Sequence, residues 1–375
     1  DGDGCGADCT VEANWTCDGA PSVCGCTEYW RGGACDECVV YVDAAATGNA
    51  TATGLGWAEA FSTLQPAIDA AHAAGPGCEL WVAEGDYEAY HSTPVGGLVL
   101  RSGVAIYGGF AGDETALSQR DPEARRTRIL AQSQYAGLVA HHAFVADSVT
   151  DVVLDGLIIR GGDANGNGPD IRGGGLFAFE SMLTVRNCVI VDNQAKFGGG
   201  IFVAGGRLHL TDSVLSLNAV PAVIGASGGR GGGLAAYGAT VLIERTVFAG
   251  NLAFGGNADG IGAYVEDSHL TILDSVFDGH VTPDGDGAAL VTEGSGDVHV
   301  ARTLFTANRS TDLGGAVYVE ADSAVFESCL FVTNESRLGG AVYTNPIPGS
   351  SVAFLGCTFS YNHATGRGGA VLALD

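Results

Sequence analysis

Short apolar runs separated by glycine-rich and polar corners recur along most of the chain. Each copy reads as a Gly-Gly step, an apolar strand, a loop, a second apolar strand, and then an apolar residue followed three positions later by a polar one. The clearest copies are LGGAVYVEADSAVFESCLFVTN, ending at Asn334, and LGGAVYTNPIPGSSVAFLGCTFSYN, ending at Asn362. The closing polar residue falls at Asn193, Asn218, Asn251, His280, Asn308, Asn334 and Asn362. Three positions earlier stand Ile190, Leu215, Phe248, Phe277, Phe305, Phe331 and Phe359. Eight earlier stand Val185, Leu210, Ile243, Ile272, Val300, Phe326 and Phe354, and ten earlier Leu183, Leu208, Val241, Leu270, Val298, Ala324 and Val352. A spacing of two between these apolar columns is strand alternation, with both on one face. Five before the polar residue the side chain is always small and uncharged: Cys188, Ser213, Thr246, Ser275, Thr303, Cys329 and Cys357.

Like residues in like columns predict a stacked coil, an all-β parallel β-helix. Neighbouring rungs of such a coil lie about 4.8 Å apart, so each side chain touches its own equivalent one turn away. Apolar columns become interior stacks, and the Asn column becomes a ladder in which each amide donates to the next carbonyl. The last Gly of each step is placed at Gly175, Gly200, Gly233, Gly262, Gly287, Gly315, Gly340 and Gly369, where positive φ and close approach suit a corner. Uneven spacing between copies fits a solenoid whose insertions bulge from one corner. A helical repeat fits badly, because the strands are rich in Val, Phe and Thr.

Three regions follow: a disulfide-rich module over 1–38, a cap with the first coils over 39–130, and repeat coils over 131–375. In the second, an amphipathic helix is predicted from Trp57 to Ala73, its stripe Leu64, Ala67, Ile68 and Ala71 covering the open end of the coil. In the first, Cys5, Cys9, Cys17, Cys24, Cys26, Cys35 and Cys38 crowd without secondary-structure periodicity, which reads as a disulfide framework and hence export. Cys35-x-x-Cys38 also matches half a zinc site, but no second pair completes it. Seven is odd, so either one partner lies upstream or one cysteine pairs into the body, with Cys78 the nearest candidate.

Several segments resemble known families. GDGCGADCTVEANWTCDGAPSVC is similar to the second half of a cysteine-rich repeat of bacterial, especially myxobacterial, surface proteins, and CGCTEYWRGGACDEC resembles an EGF-like ending. Phe-x-x-Asn at Phe248–Asn251, Phe305–Asn308, Phe331–Asn334 and Phe359–Asn362, alternating with GGAV at Gly314, Gly339 and Gly368, resembles the polymorphic outer-membrane protein type of β-helix. DVVLDGLIIRGG resembles the coil that opens such domains, and the segment around SGVAIYGGFAGDETALSQRDPEARRTRIL resembles the start of bacterial surface β-helix proteins. The resemblance implies a right-handed helix and a cell-surface or extracellular location.

Composition narrows function further. The chain carries 43 acidic and 17 basic residues, net −26, which repels phosphate backbones and anionic lipids and argues against nucleic-acid binding. No run of about 18 apolar residues offers a membrane span. Glycine, at 59 residues, suits a corner-rich β protein and disfavours helices.

Candidate chemistry is sparse. Glu244 with Asp274, or Asp151 with Asp155, are conceivable carboxylate pairs for glycan hydrolysis, though coincidental pairs are expected among so many acids. Arg245 and Arg302 share a column with Asp274 between them, which reads as a solvated strip of alternating sign. His141 and His142 read as loop residues. Asp163, Asn165, Asn167 and Asp170 alternate oxygen ligands with glycine turns as at the start of a calcium loop, making calcium the one expected cofactor; a polar corner insertion gives the same pattern. Asp284-Gly-Asp286 is a weaker version. Cys329 and Cys357 share a column within disulfide range, but in-register stacking is expected to strain the bond and favour free thiols.

The expected role is structural or adhesive, with self-association or surface glycans and proteins as partners; a polysaccharide lyase or glycoside hydrolase on the same fold is the alternative. A chain that starts at Asp1 without a signal segment and stops in GGAVLALD, in the first strand of a new coil, is expected to continue further or to dock head to tail into a filament.

Overall fold

The computed structural model describes residues 15–18, 23–26, 29–31, 37–46, 52–89, 96–132, 139–164, 171–221, 228–345 and 349–374. Cys5, Cys9, Cys35, Asn165, Asn167 and Asp170 lie outside the described residues. The chain is a parallel β-helix of about nine turns. It divides into two units, one of Asp1–Tyr87, Val99–Arg128 and Thr150–Leu157, the other of Glu88–Leu98, Ile129–Val149 and Ile158–Asp375.

In the first unit, strands Glu37–Val42, Cys78–Ala83, Val104–Phe110 and Val152–Asp155 stack in parallel. A helix over Leu64–Ala74 packs on the first two with Leu64, Ala67, Ile68 and Ala71 buried. It starts at Leu64 rather than at Trp57, and Trp57–Glu59 forms a separate 3-10 turn. Pro66 sets this boundary, because its ring clashes with the carbonyl four residues back inside a helix but is tolerated in a first turn. Cys38 is bonded to Cys78 with Cα atoms 4.6 Å apart. Both cysteines immediately precede the register pair Val39 and Glu79, so this disulfide joins facing positions on neighbouring parallel rungs. Cys17 and Cys24 face each other in the register of a hairpin, Trp15–Asp18 with Val23–Cys26.

Each turn of the second unit contributes a strand to each of three parallel faces. On the first, Leu176, Ile201, Leu234, Ala263, Leu290, Val317, Val342 and Val371 pair each with the next. The same face continues through Leu183, Leu208, Val241, Leu270, Val298, Ala324 and Val352. On the second, Ile190, Leu215, Phe248, Phe277, Phe305, Phe331 and Phe359 align. On the third, Gln194, Ala219, Leu252, Val281, Arg309, Glu335 and His363 align. Phe248, Phe277, Phe305, Phe331 and Phe359 stack inside with centroids 4.5, 5.2, 4.9 and 4.7 Å apart.

The strand register corrects one column. Directly before the first face stand Gly175, Gly200, Gly233 and Gly262, then Ala289, Ala316, Ala341 and Ala370. Gly315, Gly340 and Gly369 lie one position earlier, and Gly287 aligns with Gly260 and Gly314. These last three hold left-handed φ of 50°, 56° and 60°. GGG and GGA are therefore one corner whose left-handed residue is the first glycine; at Gly314 a Cβ would sit 2.1 Å from the Val317 carbonyl oxygen.

Two more left-handed positions bracket each strand of the second face. Asn187, Asp212, Arg245, Asp274, Arg302 and Ser328 precede it, and Asp192, Leu217, Ala307, Thr333 and Tyr361 follow it, with φ between 46° and 56°. Interior polar rows knit these corners together. The Asn side chains form a ladder, treated below, and the small-residue column forms another. Ser213 Oγ accepts from the Cys188 N–H at 3.1 Å and donates to the Thr211 carbonyl at 2.7 Å, and Ser275 does the same for Thr246 and Leu273. Ser213→Ala strips a buried N–H of its acceptor, so urea unfolding of this variant is expected to show a loss of about 1–2 kcal/mol.

Candidate functional site

Alternation on the first face turns every second side chain outward. Residues Tyr237, Tyr264, Tyr318 and Tyr343 stand there beside Glu266, Glu293 and Glu320. Tyr264 is fully buried even so, because its neighbours roof it. The Arg230 guanidinium lies 4.4 Å from its ring centroid and pairs with Glu266 at 2.7 Å and Glu293 at 3.9 Å. The Tyr264 hydroxyl is shared between Glu266, at 2.8 Å, and Glu293, in a short bond. Burial, with Glu293 second, pushes Tyr264 far above the ordinary tyrosine range. Tyr318 donates to Glu320 at 2.6 Å and Asn345 to the same carboxylate at 2.9 Å.

Along the rim, four residues before each strand, runs the column Arg230, Asp259, Asp286 and Leu313. Asp259 accepts from the Asp286 N–H at 2.9 Å, and Asp286 from the Leu313 N–H at 3.0 Å. Burial lifts Asp259 above the usual carboxylate range. Burial, and then the neighbouring Asp259 charge, push Asp286 up to about 7. Of the two, Asp286 thus holds its proton closer to neutral pH than an ordinary carboxyl does. Sequence reasoning missed this pair, since only the corrected corner register puts Asp259 and Asp286 in one column.

A second feature lies where the second and third faces meet. A groove of about 480 Å³ is lined by Gln132, Val139, Asp163, Asp192, Gln194, Leu217, Leu252 and Phe254 among others. Leu217 is 51% and Phe254 61% exposed, and Arg160 pairs with Asp192 at 3.0 Å. Of the four calcium candidates, only Asp163 is described. It stands in a short strand paired with Gln194, on the groove wall.

Three of the four carboxylates first considered for hydrolysis, Glu244, Asp274 and Asp155, are engaged elsewhere. Glu244 is bonded to His209 Nε2 at 2.8 Å. Asp274 receives Arg302 through both oxygens at 2.7 Å, and Asp212 receives Arg245 at 2.7 and 2.9 Å. The two guanidiniums hold both carboxyls below the usual range. Asp155 is buried against Arg120 at 2.8 Å, and Asp151 occupies a left-handed turn. His141 and His142 lie in a loop, as expected, and His142 is buried there, with Nδ1 2.8 Å from the Gly173 carbonyl oxygen. Its ring lies 5.4 Å from that of Phe177.

The model of the Chlamydia polymorphic membrane protein repeat matches residues 356–374. Metabotropic glutamate receptor-like protein P of Dictyostelium discoideum is 25% identical over 251 residues, covering 60% of this chain and 17% of its own length. Its relative, protein R of the same organism, is 29% identical over 168 residues, covering 44% and 10%. The chain thus spans less than a fifth of the curated relatives it matches. Among solved structures, PfbA, a surface adhesin of Streptococcus pneumoniae, aligns over 87% of this chain and 92% of its own, at 10% identity and a TM-score of 0.38. ORF18 of Geobacillus virus E2 aligns over 85% and 60%, at 12% identity and a TM-score of 0.37.

Proposed function

We propose that this chain is an exported surface β-helix with an adhesive role, and that the groove beside Phe254 takes surface glycans. The observation that carries the reading is the exposed Phe254 ring lining a mainly apolar groove that also holds Gln132, Gln194, Asp163 and Asp192. One sugar face stacks on such a ring, while hydroxyls pair with Gln132, Gln194, Asp163 and Asp192, the usual division between an apolar platform and a few orienting polar groups. The Cys38–Cys78 disulfide supports an oxidising, exported setting. The polymorphic membrane protein repeat at 356–374 supports a surface location. A glycan array probed with the whole chain is the test. Phe254→Ala is expected to weaken the strongest hits about tenfold with unchanged far-UV circular dichroism. A chain that binds no glycan, or a variant that binds equally well, overturns the reading.

A carbohydrate-active enzyme is the second reading, favoured by the raised Asp259 and Asp286 beside an aromatic row. One protonated and one ionised carboxyl is the pattern that acid–base cleavage of a glycosidic bond requires. Release of reducing ends or unsaturated sugars from acidic or neutral polysaccharides, abolished by Asp286→Asn, would favour it over adhesion.

A further inference from the structure

We infer that Cys329 and Cys357 are a second disulfide site, a rung-to-rung clasp that forms under oxidising conditions. The two residues directly precede the register pair Leu330 and Thr358, so they face each other on neighbouring parallel turns. The first unit already contains this arrangement: Cys38 and Cys78 directly precede their own register pair, and they are bonded. Their Cα separation of 4.6 Å matches the spacing of about 4.8 Å between any two adjacent rungs and lies inside the disulfide range of about 4.4–6.8 Å. In-register stacking therefore admits the bond, although both thiols are free here, as expected from the sequence.

Both thiols are free in this structure and point the same way. The Cys329 thiol donates to the Val300 carbonyl at 3.4 Å, and the Cys357 thiol to the Phe326 carbonyl at 3.3 Å. Each reaches back toward the turn before it, which brings the Cys357 sulfur toward Cys329. Burial pushes the Cys329 thiol up to about 11, with the Cys357 thiol among the further causes, whereas Cys357 is only half-buried. The order of events follows. The Cys357 thiolate attacks an external disulfide, such as oxidised glutathione, forming a mixed disulfide and releasing one glutathione thiol. Cys329 then loses its proton and attacks the Cys357 sulfur. The internal bond forms and the second glutathione leaves as a thiol, so two protein thiols are oxidised and one glutathione disulfide is reduced. The buried thiol makes the second step the slow one.

Trypsin separates the partners, because Arg309, Arg337 and Arg367 bracket them in peptides 310–337 and 338–367. The whole chain is incubated with oxidised glutathione, denatured in the presence of an alkylating agent, and digested without reduction. The expected product is one cross-linked 310–337/338–367 species, two hydrogens lighter than the separate peptides, which reduction splits. The treated chain also unfolds at higher urea than the untreated chain, in which Cys38–Cys78 is bonded and Cys329 and Cys357 are free, and Cys329→Ser removes both the cross-link and that difference. Recovery of the two peptides separately, each alkylated or glutathionylated, overturns the inference, as does a disulfide that links two chains through Cys357.

Discussion

Asn334→Ala lowers stability by about 3 kcal/mol, the largest loss expected from any single truncation in the polar rows. Asn334 is fully buried and works in both directions along the axis. Its Oδ1 accepts from the Asn308 N–H and from Asn308 Nδ2, both at 3.0 Å. Its Nδ2 donates to the Phe305 carbonyl at 3.0 Å and to Asn362 Oδ1 at 2.9 Å. Alanine keeps the backbone in place and leaves the Asn308 N–H and the Phe305 carbonyl without this partner. A buried polar group without a partner costs about 1–3 kcal/mol, and two such groups beside a small void place the sum near the figure given. The void is minor here, because the flanking Phe305 and Phe331 rings remain stacked at 4.9 Å. Asn308→Ala removes the same kind of link and has a similar effect. Urea melts read the result as a lower midpoint with an unchanged slope. A midpoint shifted by less than the equivalent of about 0.5 kcal/mol would show that solvent or a neighbouring carbonyl replaces the lost amide.

The repeat columns were legible because a β-helix puts each residue beside its own equivalent, so register is written as identity. Isoleucine, leucine and phenylalanine three before the ladder form one stack, and the small column forms a hydrogen-bonded row for the same reason. The corners were less legible. GGG and GGA carry the same left-handed first residue, but a match on the last glycine slips by one at Gly315 and by two at Gly287. That slip hid Asp259 and Asp286 from each other. The helix start was misplaced because the apolar stripe was read without the constraint that Pro66 imposes. The groove could not be read at all, since Gln132, Gln194 and Phe254 come from different turns and share no column. The Arg245, Asp274 and Arg302 strip was readable as a solvated face, and the structure resolves it into the ion pairs Asp212–Arg245 and Asp274–Arg302.

His280→Asn is expected to stabilise the chain, slightly at neutral pH and strongly in acid. His280 interrupts the ladder. Its Nδ1 takes the Asn251 N–H at 3.2 Å, as an Asn Oδ1 does elsewhere, and its own N–H reaches Asn308 Oδ1 at 3.1 Å. Among the described residues its Nε2 has no hydrogen-bond partner, and the Asn251 amide, which donates to the Leu215 carbonyl at 3.0 Å, lacks the lateral acceptor its equivalents have. Asparagine restores that acceptor. The gain is about 1–2 kcal/mol, reduced by the smaller volume of the new side chain, so about 1 kcal/mol remains at pH 7. Acid widens the gap. His280 is completely buried, and burial pushes its pKa from 6.5 down to about 4. Below pH 6.5 the unfolded chain takes up a proton that the folded chain refuses until about pH 4. The stability from His280 is thus whole above 6.5 and drains away as pH falls through that window, by about 3 kcal/mol in total. Asp286 runs the other way. Its carboxyl is raised to about 7, so its contribution is whole below about pH 4 and is lost as pH rises toward 7. Asp286 and the other carboxyls are common to both chains, so subtracting the wild-type profile from the variant's isolates His280. Urea melts at pH 7 and pH 4 are expected to show the variant ahead by about 1 and about 4 kcal/mol respectively. An equal lead at both values would mean that the folded chain takes up the His280 proton as readily as the unfolded one, with Nε2 donating to the Phe248 carbonyl.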